Sequence, residues 1–161
     1  MISVMDHCLK VRNLSDCMGL VTALQSTSLE RLSKTWKLLP EDSVATLKKL
    51  KDIFDPRSNY KNLRKLFEER SNEPMVPFIG LIMGDLIHAD EVTSMIDGRH
   101  NWYKYELLAR LLAVIPKYQK LKYSSSTVFA DREFVSMFER TEFLDSEQVR
   151  TRSRELEPPE N

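Results

Sequence analysis

Apolar residues return at every third or fourth position through most of this chain, and that period constrains its fold more than any other feature. Leu14, Met18, Val21 and Leu24 keep the spacing behind a helix-start signal at Asn13 to Asp16. Leu29, Leu32 and Trp36 keep it in the next segment, which Thr27 and Glu30 open with a capping-box pattern. Val44, Leu47, Leu50 and Ile53 carry it from Glu41 to Phe54. After the break at Asp55-Pro56-Arg57-Ser58-Asn59, Tyr60, Leu63, Leu66 and Phe67 resume it, with Asn59 placed to cap. Such spacing gathers apolar side chains on one face of a helix. Only four glycines occur in 161 residues, too few for the turns of an extended antiparallel sheet. The expected fold class is all-α.

The second half completes the pattern. Ser71 to Pro74 reads as a turn, and Met75 to Ile87 is apolar on nearly every side, which predicts a central buried helix. Gly80 and Gly84 lie four apart on it, a spacing that predicts the close passage of another backbone. A polar stretch from His88 to His100 precedes a long amphipathic segment, about Asn101 to Gln119, which Pro116 should kink or end. The expected architecture is an irregular multi-helix domain with a protruding antiparallel helical hairpin, its tip in the His88 to His100 stretch. Asp131 to Arg140 and Asp145 to about Glu155 predict two further short helices. Pro158 and Pro159 end the pattern, so residues 158–161 read as a tail after a single domain over 1–157.

The chemistry of familiar enzyme sites is missing. His7, His88 and His100 lack helical pairing, and Cys8 and Cys17 lack the paired spacing of a zinc site, so no metal is expected. There is no glycine-rich phosphate loop and no nucleophile elbow, so neither a nucleotide cofactor nor covalent catalysis is expected. Carboxylate neighbours such as Asp90 and Glu91 are ordinary on solvated loops. Twenty-four basic residues balance twenty-four acidic ones, leaving no global field to attract nucleic acid. The longest apolar stretch, Pro77 to Ile87, is shorter than the ~20 residues a membrane span requires. With no signal-peptide pattern at the start, the expectation is a cytoplasmic protein whose function is contact.

Several segments indicate the kind of contact. Residues 11–39 place Arg12-Asn13 ahead of one helix and Arg31-Leu32-x-x-Thr35-Trp36 in the next. Asn59-Tyr60 is followed by Arg64, and Pro77-Phe78-x-Gly80 by Asp85-Leu86. Gly98-Arg99 leads into Asn101-Trp102, and the chain closes on Glu155-Leu156-Glu157-Pro158-Pro159. In this order the five segments resemble the catalytic domain of the Ras-family guanine-nucleotide exchange factors, over its C-terminal two-thirds. The Gln25-Ser26 pair, the form of the hairpin loop and the closing segment are most similar to the Ral-specific branch.

The resemblance implies a Ras-superfamily small GTPase as partner, Ral-like by preference, with Ras and Rap as alternatives. It implies that the hairpin pries open switch I while a hydrophobic bowl holds switch II. Ile87 falls at the position of the family's apolar wedge near the Mg²⁺ site. Glu91 falls at that of the carboxylate competing for the phosphate-binding groups. Met18, Gln25, Tyr60, Phe78 and Gly84 would form the bowl. From periodicity alone, Met18 and Phe78 fit a core stripe equally well, Tyr60 fits the first anchor of its helix, and Ile87 fits a buried hairpin base. The family's domain ordinarily begins upstream of the matching segments, the loop is about two residues shorter than the Ral-type pattern, and Pro116 interrupts the second hairpin helix. A truncated or divergent module that binds without catalysing exchange is therefore the alternative expectation.

Overall fold

The structure is a computed structural model that describes residues 1–69, 72–124 and 132–159. Helix dominates it. The first helix, α1 (Ile2–Lys10), is one the sequence reading did not anticipate, and it buries Met5 completely. Next, α2 (Leu14–Leu24) starts where expected: the Asn13 side chain accepts from the Asp16 N–H, satisfying an amide the helix leaves unpaired. α1 packs on α2 and on α5 (Glu41–Ile53), and α5 on α6 (Lys61–Glu69).

The segment from Thr27 to Leu38 departs from the single capped helix predicted for it. Ser26 rather than Thr27 is the N-cap residue, and it makes no side-chain cap. A short α3 (Thr27–Glu30) ends at Arg31, and α4 (Ser33–Lys37) begins after Leu32, whose ψ of 63° interrupts the helix. Long-range bonds hold the break. Arg31 Nη1 donates to the Ser153 carbonyl at 2.8 Å and Nη2 to the Glu157 carbonyl at 2.7 Å. The Glu157 carboxylate accepts from the Lys34 N–H at 3.1 Å and the Thr35 N–H at 2.7 Å, capping α4 from the far end of the chain. The two segments that resemble the family's opening and closing motifs thus meet across more than 120 residues. Trp36 packs half-buried against the core, and its ring N–H donates to the Leu29 carbonyl.

Met5, Leu14, Cys17, Val21, Leu50, Phe54, Leu63 and Met75 form the core, and Leu81 and Tyr118 join it from the hairpin. The Arg12-Asn13 pair joins it to the hairpin base. Val76 donates its N–H to the Arg12 carbonyl, and its own carbonyl accepts from the Leu14 N–H, a parallel bridge that leads the chain into α7 (Ile79–Glu91).

α7 begins and ends four residues later than the run Met75 to Ile87 predicted, and it is less buried. Leu81, Ile82 and Ala89 are buried, whereas Met83 and Ile87 face outward. The partner of its outer half is α8 (Trp102–Lys120), which runs antiparallel to it. Helix persists through Pro116 to Lys120, so the proline does not end it. Between α7 and α8 the chain makes a small hairpin, β1 (Met95–Ile96) with β2 (Arg99–His100), in place of an irregular tip. Asp97 and Gly98 turn it with φ of 50° and 72°, the backbone a type I′ turn requires. The polar stretch is partly helical as well, since His88 to Glu91 form the end of α7. α9 (Arg132–Glu139) and α10 (Ser146–Leu156) complete the order, the latter with a capping box between Asp145 and Gln148. Ser71, Asp131 and the last two residues of the expected tail lie outside the described residues. Among the described residues no helix is long and apolar enough to cross a membrane.

Candidate functional site

The outer face of α7 is the feature to which the other elements give position. Gly84, Ile87 and Glu91 recur at three and four residues, so they line one side of the helix. Ile87 is 61% exposed, and the Glu91 side chain is 72% exposed, with His88 Nδ1 3.6 Å from its carboxylate. The buried alternative for Ile87 is therefore excluded: an apolar side chain stands in solvent one turn from a carboxylate. An isoleucine so placed gains little for the fold, whose buried residues on this helix are Leu81, Ile82 and Ala89.

Gly84 does not lie against another backbone, as its spacing with Gly80 had predicted. A side chain added there would meet nothing within 4 Å, so the helix surface is open. Gly80 serves a different purpose. A Cβ built on it would stand 2.5 Å from Phe78 Cζ, so the ring of Phe78 lies over the first turn of α7 because position 80 carries no side chain. Phe78 in turn meets Tyr60 edge-on, with ring centroids 6.1 Å apart. Both rings are half-buried and rest on the core, so each is part core and part surface.

Tyr60 reaches this place through an unusual backbone. Ser58, Asn59 and Tyr60 all have positive φ, at 56°, 53° and 55°, a left-handed run that side-chain-bearing residues seldom adopt. Asn59 accordingly does not cap α6, which starts only at Lys61. Its carbonyl and its side-chain oxygen instead accept from Arg64 Nε and Nη2, at 2.8 and 3.0 Å. Arg64 also takes Asp85 of α7 in a two-pronged pair. This pair fixes Tyr60 relative to α7, and neither residue was singled out as functional from sequence. The signal was present, since both close a recognised motif.

Met18 and Gln25 are seven residues apart, two turns along one face of α2. Met18 is half-buried against the core, and Gln25 is exposed at the helix end, over a groove it lines with Val44, Leu47, Lys48 and Lys51. The structure thus joins Tyr60 and Phe78 directly, aligns Gly84, Ile87 and Glu91 on α7, and sets Met18 and Gln25 together on α2. Among the described residues no group of histidines, cysteines and carboxylates could hold a metal ion. Burial pushes the Cys17 thiol up to about 12, with Cys8 and Asp6 adding to the shift, and its Sγ–H donates to the Met5 carbonyl. It is a packing residue rather than a nucleophile.

Comparison with known proteins gives the family. The RasGEF domain matches residues 1–106, which hold every residue of the α2, α6 and α7 surfaces just described. Ras guanine nucleotide exchange factor C of Dictyostelium discoideum is 35% identical over 125 residues, 77% of this chain and 8% of that protein. Ras guanine nucleotide exchange factor Y of the same organism is 31% identical over 136 residues, 83% of this chain and 9% of that protein. The Ras-specific guanine nucleotide-releasing factor RalGPS1 of Gallus gallus is 36% identical over 81 residues, 50% of this chain and 14% of that protein. The chain thus spans a small fraction of these relatives' length. Since the domain match covers well over half of the chain and its motifs meet in space as they do in order, this chain belongs to the RasGEF domain family.

Proposed function

We propose that this chain promotes GDP release from a Ras-superfamily small GTPase, with the outer end of the α7–α8 hairpin entering the nucleotide site and the Tyr60–Phe78 surface holding switch II. The observation that carries the reading is the placement of Ile87 and Glu91, one helical turn apart and largely exposed, at the outer end of a hairpin whose base is anchored in the core. An apolar side chain beside a carboxylate suits a site from which a magnesium ion and phosphates must be displaced: the first disfavours hydration there, and the second competes for the groups that held phosphate. The chain needs no covalent chemistry for this. By linkage, a factor that binds the nucleotide-free GTPase more tightly than the loaded form weakens nucleotide binding by the same ratio, each tenfold being ~1.4 kcal/mol.

Ral is the preferred partner on the Gln25-Ser26 pair and the closing Glu155 to Pro159 segment, with Ras and Rap as the alternatives. The domain assignment over 1–157, with a tail from 158, belongs to the same proposal, as does action in the cytoplasm on a membrane-borne GTPase. Affinities for nucleotide-free and GDP-loaded Ras, Rap and Ral test it. Tighter binding of a nucleotide-free form is expected, most strongly for Ral. Equal affinity for both forms would leave a binding module without exchange activity, and no binding to any of the three would overturn the reading.

A further inference from the structure

Lys104 is a lysine in an unexpected place. It lies in the first turn of α8 and is only 7% exposed, although its neighbours Tyr103 and Tyr105 point into solvent. An ammonium so enclosed is costly unless its donors are used. Nζ donates to the Asp90 carbonyl at 2.7 Å and stands 3.0 Å from the Asp90 carboxylate, which is itself 82% exposed. The Asp90 carbonyl is one of the four that α7 leaves unpaired at its C-terminal end, where a cation also meets the negative end of the helix dipole.

A second residue of the same turn acts alongside. Asn101, also buried, occupies the N-cap position of α8 without a side-chain cap; its backbone N–H donates to the Ser94 carbonyl and its Nδ2 to the Thr93 carbonyl, at 2.9 and 2.8 Å. Lys104 N–H closes the unit by donating to the Asn101 carbonyl. The first turn of α8 therefore grips the chain at Asp90, Thr93 and Ser94. Glu91 lies between these points. Its backbone is held from both sides while its carboxylate stays in solvent, and Ile87 sits one turn back on the same helix.

We propose that Lys104 is a positioning residue for exchange: its bond to the Asp90 carbonyl fixes the last turn of α7, so that Glu91 and Ile87 are presented to the GTPase in one orientation. The assignment rests on the reading that these two residues act at the nucleotide site. The bond that satisfies the buried ammonium falls on the peptide next to Glu91, where it bears on how that side chain is presented. Packing against Ala89, buried on the inner face, already holds α7 to α8.

The test is Lys104→Met, which keeps the buried stem and removes the ammonium, assayed by release of fluorescent GDP from Ras, Rap and Ral over a range of chain concentrations. The maximal release rate should fall about tenfold or more, with the half-saturating concentration shifted less than about twofold, because the Tyr60–Phe78 surface remains. Amide hydrogen exchange should quicken at residues 89–94 and stay unchanged in α1, α2 and α5. An unchanged maximal rate, or a loss confined to the half-saturating concentration, overturns the proposal. So does a slower rate with protection at 89–94 intact. Should Lys104→Met melt without cooperativity, Lys104→Gln decides, since its shorter side chain keeps a polar donor in the site but loses the reach to the Asp90 carbonyl: a fall of about threefold in maximal rate supports the role, and no fall overturns it. A wild-type chain inactive on all three GTPases overturns the exchange reading and this role with it; an active wild type with an unaffected Lys104→Met overturns this role alone.

Discussion

Arg64 and Asp85 join two motifs that lie 21 residues apart: Nη1 donates to Oδ2 at 2.7 Å and Nη2 to Oδ1 at 2.6 Å. The same guanidinium bonds the Asn59 carbonyl and side chain, so one residue fixes both the left-handed turn that carries Tyr60 and the middle of α7. Hydrogen bonding to Asp85 raises the Arg64 pKa above its ordinary value against the opposing cost of burial, so the guanidinium keeps its charge.

Arg64→Lys should therefore be far from conservative. A lysine replaces the planar fork by a single point charge and cannot serve Asn59 and Asp85 together. The expected loss is about 1.5–3 kcal/mol of folding stability, the range for hydrogen bonds to charged groups. Urea unfolding of the variant measures it. Affinity for nucleotide-free GTPase should fall as well, because Tyr60 loses its support.

The two glycines of α7 should differ in how alanine changes stability. Gly84→Ala meets open space and should stabilise the helix by up to ~1 kcal/mol, while a methyl on that surface weakens GTPase binding. Gly80→Ala drives the Phe78 ring from its seat. Its helix-propensity gain is offset, so melting should change little while affinity falls. Thermal melts beside binding isotherms separate the two cases.

Acid should loosen the contact between the first and last motifs. Desolvation works to raise the Glu157 carboxyl, but hydrogen bonds from Thr35 and from the Lys34 N–H outweigh it and hold its pKa below the ordinary value. A depressed folded pKa means the contribution is complete above the unfolded value, roughly 4–4.5, and is lost as the pH falls from there through the folded one. The stability difference between wild type and Glu157→Gln should thus be present at neutral pH and vanish in acid. Urea titrations across that range read it directly.

What could be read from sequence divides along the range of the forces involved. The three- and four-residue spacing of Leu14 to Leu24, and that of Val44 to Ile53, located α2 and α5 because local periodicity alone decides such helices. α1 carries a stripe of Ile2, Met5 and Leu9, but it has no side-chain cap and no acidic residue in its first turn, so no start signal marks it. The break between α3 and α4 was not legible, because its causes, Arg31 on α10 and Glu157 on α4, act across more than 120 residues. In the site, motif resemblance supplied Tyr60, Phe78, Ile87 and Glu91. Arg64 and Asp85 stand in the motifs, but nothing in their spacing tells that they pair with each other, and Lys104 carries no motif signal at all.

The surface that grips should be separable from the surface that opens. Tyr60→Ala should weaken binding to nucleotide-free GTPase by about 2 kcal/mol, typical for an aromatic anchor, while the chain still folds, because Tyr60 precedes α6 and is only half-buried. Unchanged affinity in a folded Tyr60→Ala variant would place the switch II surface elsewhere.

The central claim, that the exposed edge of α7 opens the nucleotide site, is tested most directly by the release rate of fluorescent GDP from the responsive GTPase at saturating chain. Ile87→Ala with Glu91→Ala should slow that release at least about tenfold relative to wild type. Both side chains are exposed, so melting temperature and affinity for nucleotide-free GTPase should be nearly preserved. A double variant that releases GDP as fast as wild type would contradict the account, whatever its affinity.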